Sequence, residues 1–321
     1  MHPRYVISTL KDCSNGAQSS SNPVAKALSA ASSVTVARAL LFALLLAAAL
    51  PASAQTLKTL YSFMGNQNGN KDGWYPNGGL VLDPRGNLYG TTEFGGAKNK
   101  GVVFEVTPSG TETLLHFFSI TQNGQIPLAG LVRDKKGNLY GTTQSGGLHN
   151  RGTVFEVTPS GTETILHSFA KNKKDGYYPD ARLVFDAQGN LYGTTPVGGM
   201  TNSNCPQDCG TVFELTPSGT ETLLYKFKGG SDGAIPYTPV TFDKQGNLYG
   251  TTTGGGAANC GTIFALTPSG TETVLYTFAC GADGAYPGGG LLFDRRGNLY
   301  GTAGAALLIR TAHRAAASSL S

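Results

Sequence analysis

Residues 128–169 show the pattern from which the chain is built. Ala129-Gly130-Leu131-Val132-Arg133-Asp134 is a short extended run, and Lys135–Asn138 turns the chain. Leu139-Tyr140-Gly141-Thr142-Thr143 is a second run of aromatic and β-branched types, the residues that favour strands. A glycine-bearing loop, Gln144–Arg151, leads to Gly152–Val157. Thr158-Pro159-Ser160-Gly161 then turns into Thr162–Phe169. Proline presets φ at the start of a tight turn and glycine supplies positive φ near its end, so this tetrapeptide predicts a hairpin. The four predicted strands are named a, b, c and d in chain order.

The pattern recurs. Gly86-Asn87-Leu88-Tyr89-Gly90-Thr91 returns at positions 137, 189, 246 and 297, in steps of 51, 52, 57 and 51 residues. Four short antiparallel strands at that period predict an all-β fold, a β-propeller of four-stranded blades with about five repeat units, the last incomplete. A β-helix has shorter repeats, and a β-sandwich does not repeat its own sequence so closely. The blades fall at 79–118, 129–169, 181–227 and 239–278, and the fifth begins at Gly289. Residues 56–63 match strand d and precede any a, b or c strand. They are expected to complete the last blade and remove its open edge. In the fifth unit the expected strand c is replaced by Gly304–Arg310 and an Ala/Ser tail. Either Ala306–Thr311 substitutes for strand c, or the tail reflects a truncated or frameshifted reading frame.

In a propeller the d–a and b–c loops share one face and the a–b and c–d turns the other. The turns are almost the same in every repeat. The loops vary, and the b–c loop grows from eight residues (Gln144–Arg151) to fourteen (Pro196–Cys209) in blade three. Function concentrates on loops held by a rigid scaffold, so the loop face is the candidate binding surface. Its residues are Asp72, Trp74, Tyr75, Phe94, His149, Asp175, Tyr177, Tyr178, Asp232, Tyr237, Asp283 and Tyr286. Aromatic faces beside Asp and Asn suit stacking on sugar rings, and each aromatic equally suits packing at a blade tip.

Composition sharpens this reading. The 321 residues include 45 glycines without a three-residue period, which fits a turn-rich β protein. The net charge is +4, and most of it lies in residues 1–54, so nucleic acid is not an expected partner. Residues 39–50 are apolar and uncharged, follow Arg38, and precede Pro51 and Ala52-Ser53-Ala54. This predicts a secretory signal peptide over 1–54, cleaved before Gln55. Twelve apolar residues are too few to span a bilayer, and no transmembrane span is expected in the mature chain. A repeat domain over 55–303 and a non-repeat tail over 304–321 follow. Cys13 lies in the removed segment. Cys205, Cys209, Cys260 and Cys280 remain, an even set in an exported chain, so disulfides are expected. Cys205–Cys209 would staple the inserted loop, and Cys260–Cys280 would bridge the hairpin about Ser269. Zinc ranks below disulfides, because no Cys/His pair sits at ligand spacing.

Gly-Asn-Leu-Tyr-Gly-Thr-Thr, then Gly-Gly, then Gly-Thr-Val-Phe-Glu-Val-Thr-Pro-Ser-Gly resembles the GloVer tandem-repeat family over about residues 56–303. The resemblance implies an exported or surface bacterial protein with variable C-terminal anchors and no assigned activity. The tail beyond Ala303 carries neither a repeat nor a recognisable sorting signal.

No nucleophile elbow or phosphate loop occurs, and no cofactor or metal is expected. Asp83, Asp134, Asp186, Asp243 and Asp294 precede the a–b turn and are expected to bond its amides. Asp72, Asp175, Asp232 and Asp283 recur in almost every repeat, which favours a structural Asp-Gly turn over a catalytic pair. Glu112, Glu163, Glu221 and Glu272 begin the outermost strand and are expected in solvent. His116 and His167 exchange with Tyr225 and Tyr276 and are expected to pack. The reading is an exported propeller that binds glycan or a surface protein. The alternatives are a polysaccharide hydrolase or lyase and a purely structural surface repeat.

Overall fold

The computed structural model describes residues 57–65, 72–119, 123–170, 175–205, 208–304 and 306–310. The expected signal segment, Cys13 and the tail beyond 310 lie outside the described residues. The described residues from Thr59 onward belong to one compact unit. Among the described residues no helix is long and apolar enough to cross a membrane.

The fold is an all-β propeller of antiparallel blades. In blade one, strands Val81–Leu82, Leu88–Thr92, Val102–Val106 and Glu112–Phe117 pair in the order a-b-c-d. Blade two repeats this with Val132–Arg133, Leu139–Thr143, Thr153–Val157 and Glu163–Ser168. Blade three uses Val184–Phe185, Leu191–Thr195, Thr211–Leu215 and Glu221–Lys226. Blade four uses Thr241–Phe242, Leu248–Thr252, Thr262–Leu266 and Glu272–Thr277. Strand a is shorter than its apolar run, and the backbones just before neighbouring a strands crowd together. A Cβ on Gly130 would stand 2.6 Å from the Gly79 carbonyl oxygen.

The repeated heptapeptide is accounted for atom by atom. In blade two, Asp134 accepts hydrogen bonds from the Asn138 amide at 2.8 Å, the Asn138 side chain at 3.1 Å and the Tyr140 hydroxyl at 3.3 Å. Tyr140 also reaches Glu156 at 3.0 Å, and Leu139 is in the core. Gly141 has no room for a side chain, since a Cβ there would lie 2.6 Å from the Phe155 ring. Thr142 Oγ1 donates to the Ala181 carbonyl of the next blade, and Thr143 Oγ1 to the Ser145 carbonyl that opens the b–c loop. Blades one, three and four repeat the Asp clasp.

Blades join through a line of phenylalanines. The ring that ends strand d of one blade meets the strand c ring of the next, edge to face. Phe118 stands 5.1 Å from Phe155, Phe169 5.3 Å from Phe213, and Phe227 5.1 Å from Phe264. All six are buried, and such aromatic pairs contribute about 0.5–1.5 kcal/mol each beyond area burial. A register shift recurs in the c–d pairing of each complete blade, at Val103/Phe104, Val154/Phe155, Val212/Phe213 and Ile263/Phe264. Such a bulge increases twist and carries the outer strand over its neighbour.

Both chain ends refine the expectation. Ala306–Arg310 pairs with Leu299–Ala303, so it does substitute for strand c in a three-stranded fifth sheet. Residues 59–63 are unpaired but sit against blade one as a strand d sits against the next blade. Phe63 stands 4.7 Å from Phe104, and the Leu60 carbonyl meets Gly110 as the Leu115 carbonyl meets Gly161. Pairing of this stretch with Ala306–Arg310, which closure requires, does not occur among the described residues. The expected disulfides Cys205–Cys209 and Cys260–Cys280 are both formed, with Cα atoms 5.4 and 5.6 Å apart.

Candidate functional site

The d–a and b–c loops do lie together, joined by short backbone pairings. Gly73 and Trp74 pair with Gly95 and Phe94, Gly124 with Gly146, Gly176 with Gly198, Ala234 with Gly254 and Ala285 with Gly304. At one position in every link a bulky residue adopts the left-handed region: Tyr75, Ile126, Tyr178, Ile235 and Tyr286, with φ from 49° to 62°. Such a conformation is unfavourable for Tyr and especially for β-branched Ile, and it persists only where the surroundings enforce it. Here two backbone bonds do so. Ile126 donates to the Lys100 carbonyl of blade one and accepts from the Gln144 amide of blade two, each at 3.0 Å. Ile235 does the same between Cys209 and Thr253.

The candidate residues divide into groups. Trp74 and Tyr75 stack with centroids 4.7 Å apart and planes at 19°, and Phe94 lies 6.2 and 6.1 Å from them. Trp74 is 48% and Tyr75 44% exposed, so the three rings form an open ledge. Tyr237 and Tyr286 are also exposed, each on its own link. Tyr177 is instead buried and donates to Asp208 at 2.6 Å, while the Arg151 guanidinium lies over the Tyr177 and Tyr178 rings. His149 is exposed on its b–c loop. The four aspartates turn inward to hold the links. Asp72 accepts from the Met64 and Gly73 amides, Asp175 from Ala170, Asp232 from Lys228 and Asp283 from Ala279.

Asn77 and Glu93 beside the ledge, and Asp180 on another link, are residues that sequence reasoning did not single out. The residue after each link proline differs in all five repeats: Asn77, Leu128, Asp180, Tyr237 and Gly288. Asn77 donates to Glu93 at 2.9 Å, and Gln144 donates to Asp180 at 3.4 Å. Burial raises the Asp180 carboxyl to about 6, and one of its oxygens is buried without a partner. Burial also raises the Glu93 carboxyl. The signal was the disagreement between repeats, here at a position next to an invariant proline.

The turn face holds a polar cleft of about 440 Å³ between blades one and two, lined by Asp83, Arg85, Tyr89, Glu105, Arg133 and Lys135. None of the predicted loop residues lines it. Arg133 stands over the Tyr89 ring, where blades three to five place Phe185, Phe242 and Phe293 against the equivalent tyrosines.

Two expectations need correction at the outer seam between blades. Glu112, Glu163, Glu221 and Glu272 are half-buried, each with one buried oxygen that lacks a partner. Burial pushes all four carboxyls up to about 7. His116 and His167 do more than pack: each faces a carboxylate at 3.4 Å, Glu163 and Asp175 respectively. The packing of one blade on the next is the reason, because it brings the first residue of one blade's outer strand against strand d and the link of the blade before. At three seams this joins a Tyr or His, the link Asp and the next blade's Glu, and at the seam after blade one the link residue is Asn123. His167, Asp175 and Glu221 are the one such set, among the described residues, whose ligand-type atoms all lie within 4.8 Å of one another.

A family model described as the Gloeobacter/Verrucomicrobia repeat matches residues 48–204 and 197–307. No curated protein sequence matches the chain. Among solved structures, the extracellular domain of a putative hybrid two-component system from B. thetaiotaomicron is similar in fold. It has a TM-score of 0.50 at 11% identity, covering 73% of this chain and 27% of that one. A putative gluconolactonase matches at TM-score 0.47 and 20% identity, over 75% of this chain and 76% of that one. A protein of unknown function from Dyadobacter fermentans matches at TM-score 0.48 and 13% identity, over 72% and 75%.

Proposed function

Because this chain belongs to the Gloeobacter/Verrucomicrobia repeat family, and its repeats differ mainly on the loop face, we propose that it is an exported surface module that binds glycan through the Trp74–Tyr75–Phe94 ledge. The observation that carries the reading is the stacked, half-exposed pair of rings, held in place by a backbone the scaffold forces into the left-handed region. A flat apolar surface of this kind complements the C–H face of a pyranose. The Asn77–Glu93 pair beside it offers donors and acceptors to ring hydroxyls. Export is supported by the apolar segment before Gln55 and by two disulfides, which persist in oxidising compartments.

The test is binding of the purified chain to an array of bacterial and plant polysaccharides. Trp74→Ala and Tyr75→Ala are each expected to cost about 2 kcal/mol, roughly thirtyfold in Kd, as truncating an aromatic anchor does. Binding that is unchanged in both variants would remove the ledge from the reading.

A second reading, hydrolysis or lysis of the bound polysaccharide, draws on Asp180. A carboxyl raised to about 6 by burial carries a proton at mildly acidic pH, as a general acid requires. Product release from the same polysaccharides, lost in Asp180→Asn with binding retained, would establish it. Absence of product with every bound glycan would leave the binding module alone.

A further inference from the structure

The seam between blades two and three differs from every other seam in one chemical respect. At the equivalent seams a tyrosine stands over the link aspartate and closes the set with its own proton. Tyr61 donates to Asp72 at 3.1 Å and Tyr276 to Asp283 at 2.9 Å, and Tyr225 donates to Asp232. His116 faces Glu163, but the link residue there is Asn123, so only two strong ligand groups meet. Between blades two and three a histidine, an aspartate and a glutamate meet together.

Lys226 and a contact between the Glu221 and Asp175 carboxyls act on this set, yet one atom of each side chain stays unpartnered. His167 Nε2, Asp175 Oδ1 and Glu221 Oε1 are all buried and without hydrogen-bond partners. The Asp175 side chain is only 7% exposed, and its other oxygen is fixed by the Ala170 amide at 2.8 Å. A buried anion with an unpartnered oxygen costs free energy unless a cation meets it. The geometry points to a divalent transition-metal site of the zinc type, bound by His167, Asp175 and Glu221, that clamps blade two to blade three.

The donor set fits that class. Imidazole with two carboxylates suits Zn²⁺, whereas Ca²⁺ takes six to eight oxygens. Ligand atoms about 2.1 Å from a tetrahedral Zn²⁺ lie about 3.4 Å from one another. His167 Nε2 already stands 3.4 Å from Asp175 Oδ2, the oxygen that also accepts from Ala170, and one ligand atom from each of the three side chains lies within 4.8 Å of the others. A torsion of the Glu221 side chain closes the remaining distance. The His167 side chain is 18% exposed, so the set lies close beneath the surface. The ligands come from the strand d and link of one blade and from the strand d of the next, so the ion would cross-link elements separated in sequence. This inference does not depend on the ledge.

The molecule supplies its own controls. His167→Tyr installs the residue found at the sister seams and should fold. The full chain, stripped with chelator and then titrated with ZnCl₂, is expected to bind one equivalent and to melt at higher temperature when loaded. In His167→Tyr the affinity should fall by more than about a hundredfold, beyond the 10–100-fold typical of changing a supporting residue, and the melting shift should vanish. His116→Tyr, at the seam whose link residue is Asn123, should keep wild-type zinc binding. Tyr225→His should build a second site with Asp232 and Glu272. Zinc uptake by His167→Tyr equal to wild type, or no uptake by the wild type, would overturn the site. A folded Tyr225→His chain with no added equivalent would overturn the three-ligand assignment.

Discussion

The two faces of the blades use the same residue types to opposite ends. On the turn face Asp134 bonds Asn138 and Tyr140 within one repeat, and the same bonds recur at Asp186 and Asp243. On the loop face the link aspartates also bond backbone amides, yet the residues around them change at every repeat. A ring is exposed at Trp74, buried at Tyr177 and replaced by methyl at Ala234 and Ala285. Sameness on one face is what identical blades need in order to fold. Difference on the other is what the fold permits, and recognition draws on it.

The comparison breaks most readily at the line of rings beneath both faces. Phe213→Ala should destabilise by about 3–5 kcal/mol, because it empties a fully buried site that two blades share. Urea unfolding should show that loss as a lower midpoint, and a change below 1 kcal/mol would mean that the blades do not couple through it. Next in size is the turn clasp. Asp134→Ala should cost about 1–3 kcal/mol by stranding the Asn138 amide and side chain. On the loop face Trp74→Ala should change stability by no more than about 0.5 kcal/mol, since the ring is half-exposed. A larger loss would assign the ledge to the scaffold.

A separate effect, read from pH, concerns the seam. Glu163 titrates near 4.5 when unfolded and at about 7 when folded, because burial disfavours its charge. The folded state therefore holds a proton that the unfolded state has released. Its contribution is fully present below about pH 4.5 and is lost as pH rises to about 7. Glu163→Gln should remove that slope and raise the melting temperature slightly at neutral pH. A thermal scan from pH 4 to 8 that shows the same slope in both proteins would place the charge outside the seam.

The blades were legible because periodicity records a constraint repeated in every unit. Gly141 recurs since any Cβ would strike Phe155, and Asn138 recurs since Asp134 needs it. The outer seam was not legible. Glu163 and His116 lie 47 residues apart in sequence, and only the packing of blade two on blade one brings them to 3.4 Å. A glutamate opening an edge strand reads as solvated until the next blade is laid against it. Tyr177 misled for a related reason, because its link has the same sequence shape as the Trp74 link while Asp208, in the inserted loop, gives its hydroxyl a buried partner.

The phenylalanine line has a further consequence, for how such a chain can lengthen. Each ring touches a neighbour one repeat away, as Phe118 touches Phe155 and Phe169 touches Phe213. Duplication of a whole unit therefore leaves every contact with an equivalent partner. A single residue added within strand b would turn its side chains to the wrong face. Among the repeats of this chain the length changes in the loops, most by the six residues that separate Pro196–Cys209 from its eight-residue counterparts. The molecule is in effect a counted quantity, whose reach grows in whole blades while its recognition surface is rewritten one loop at a time.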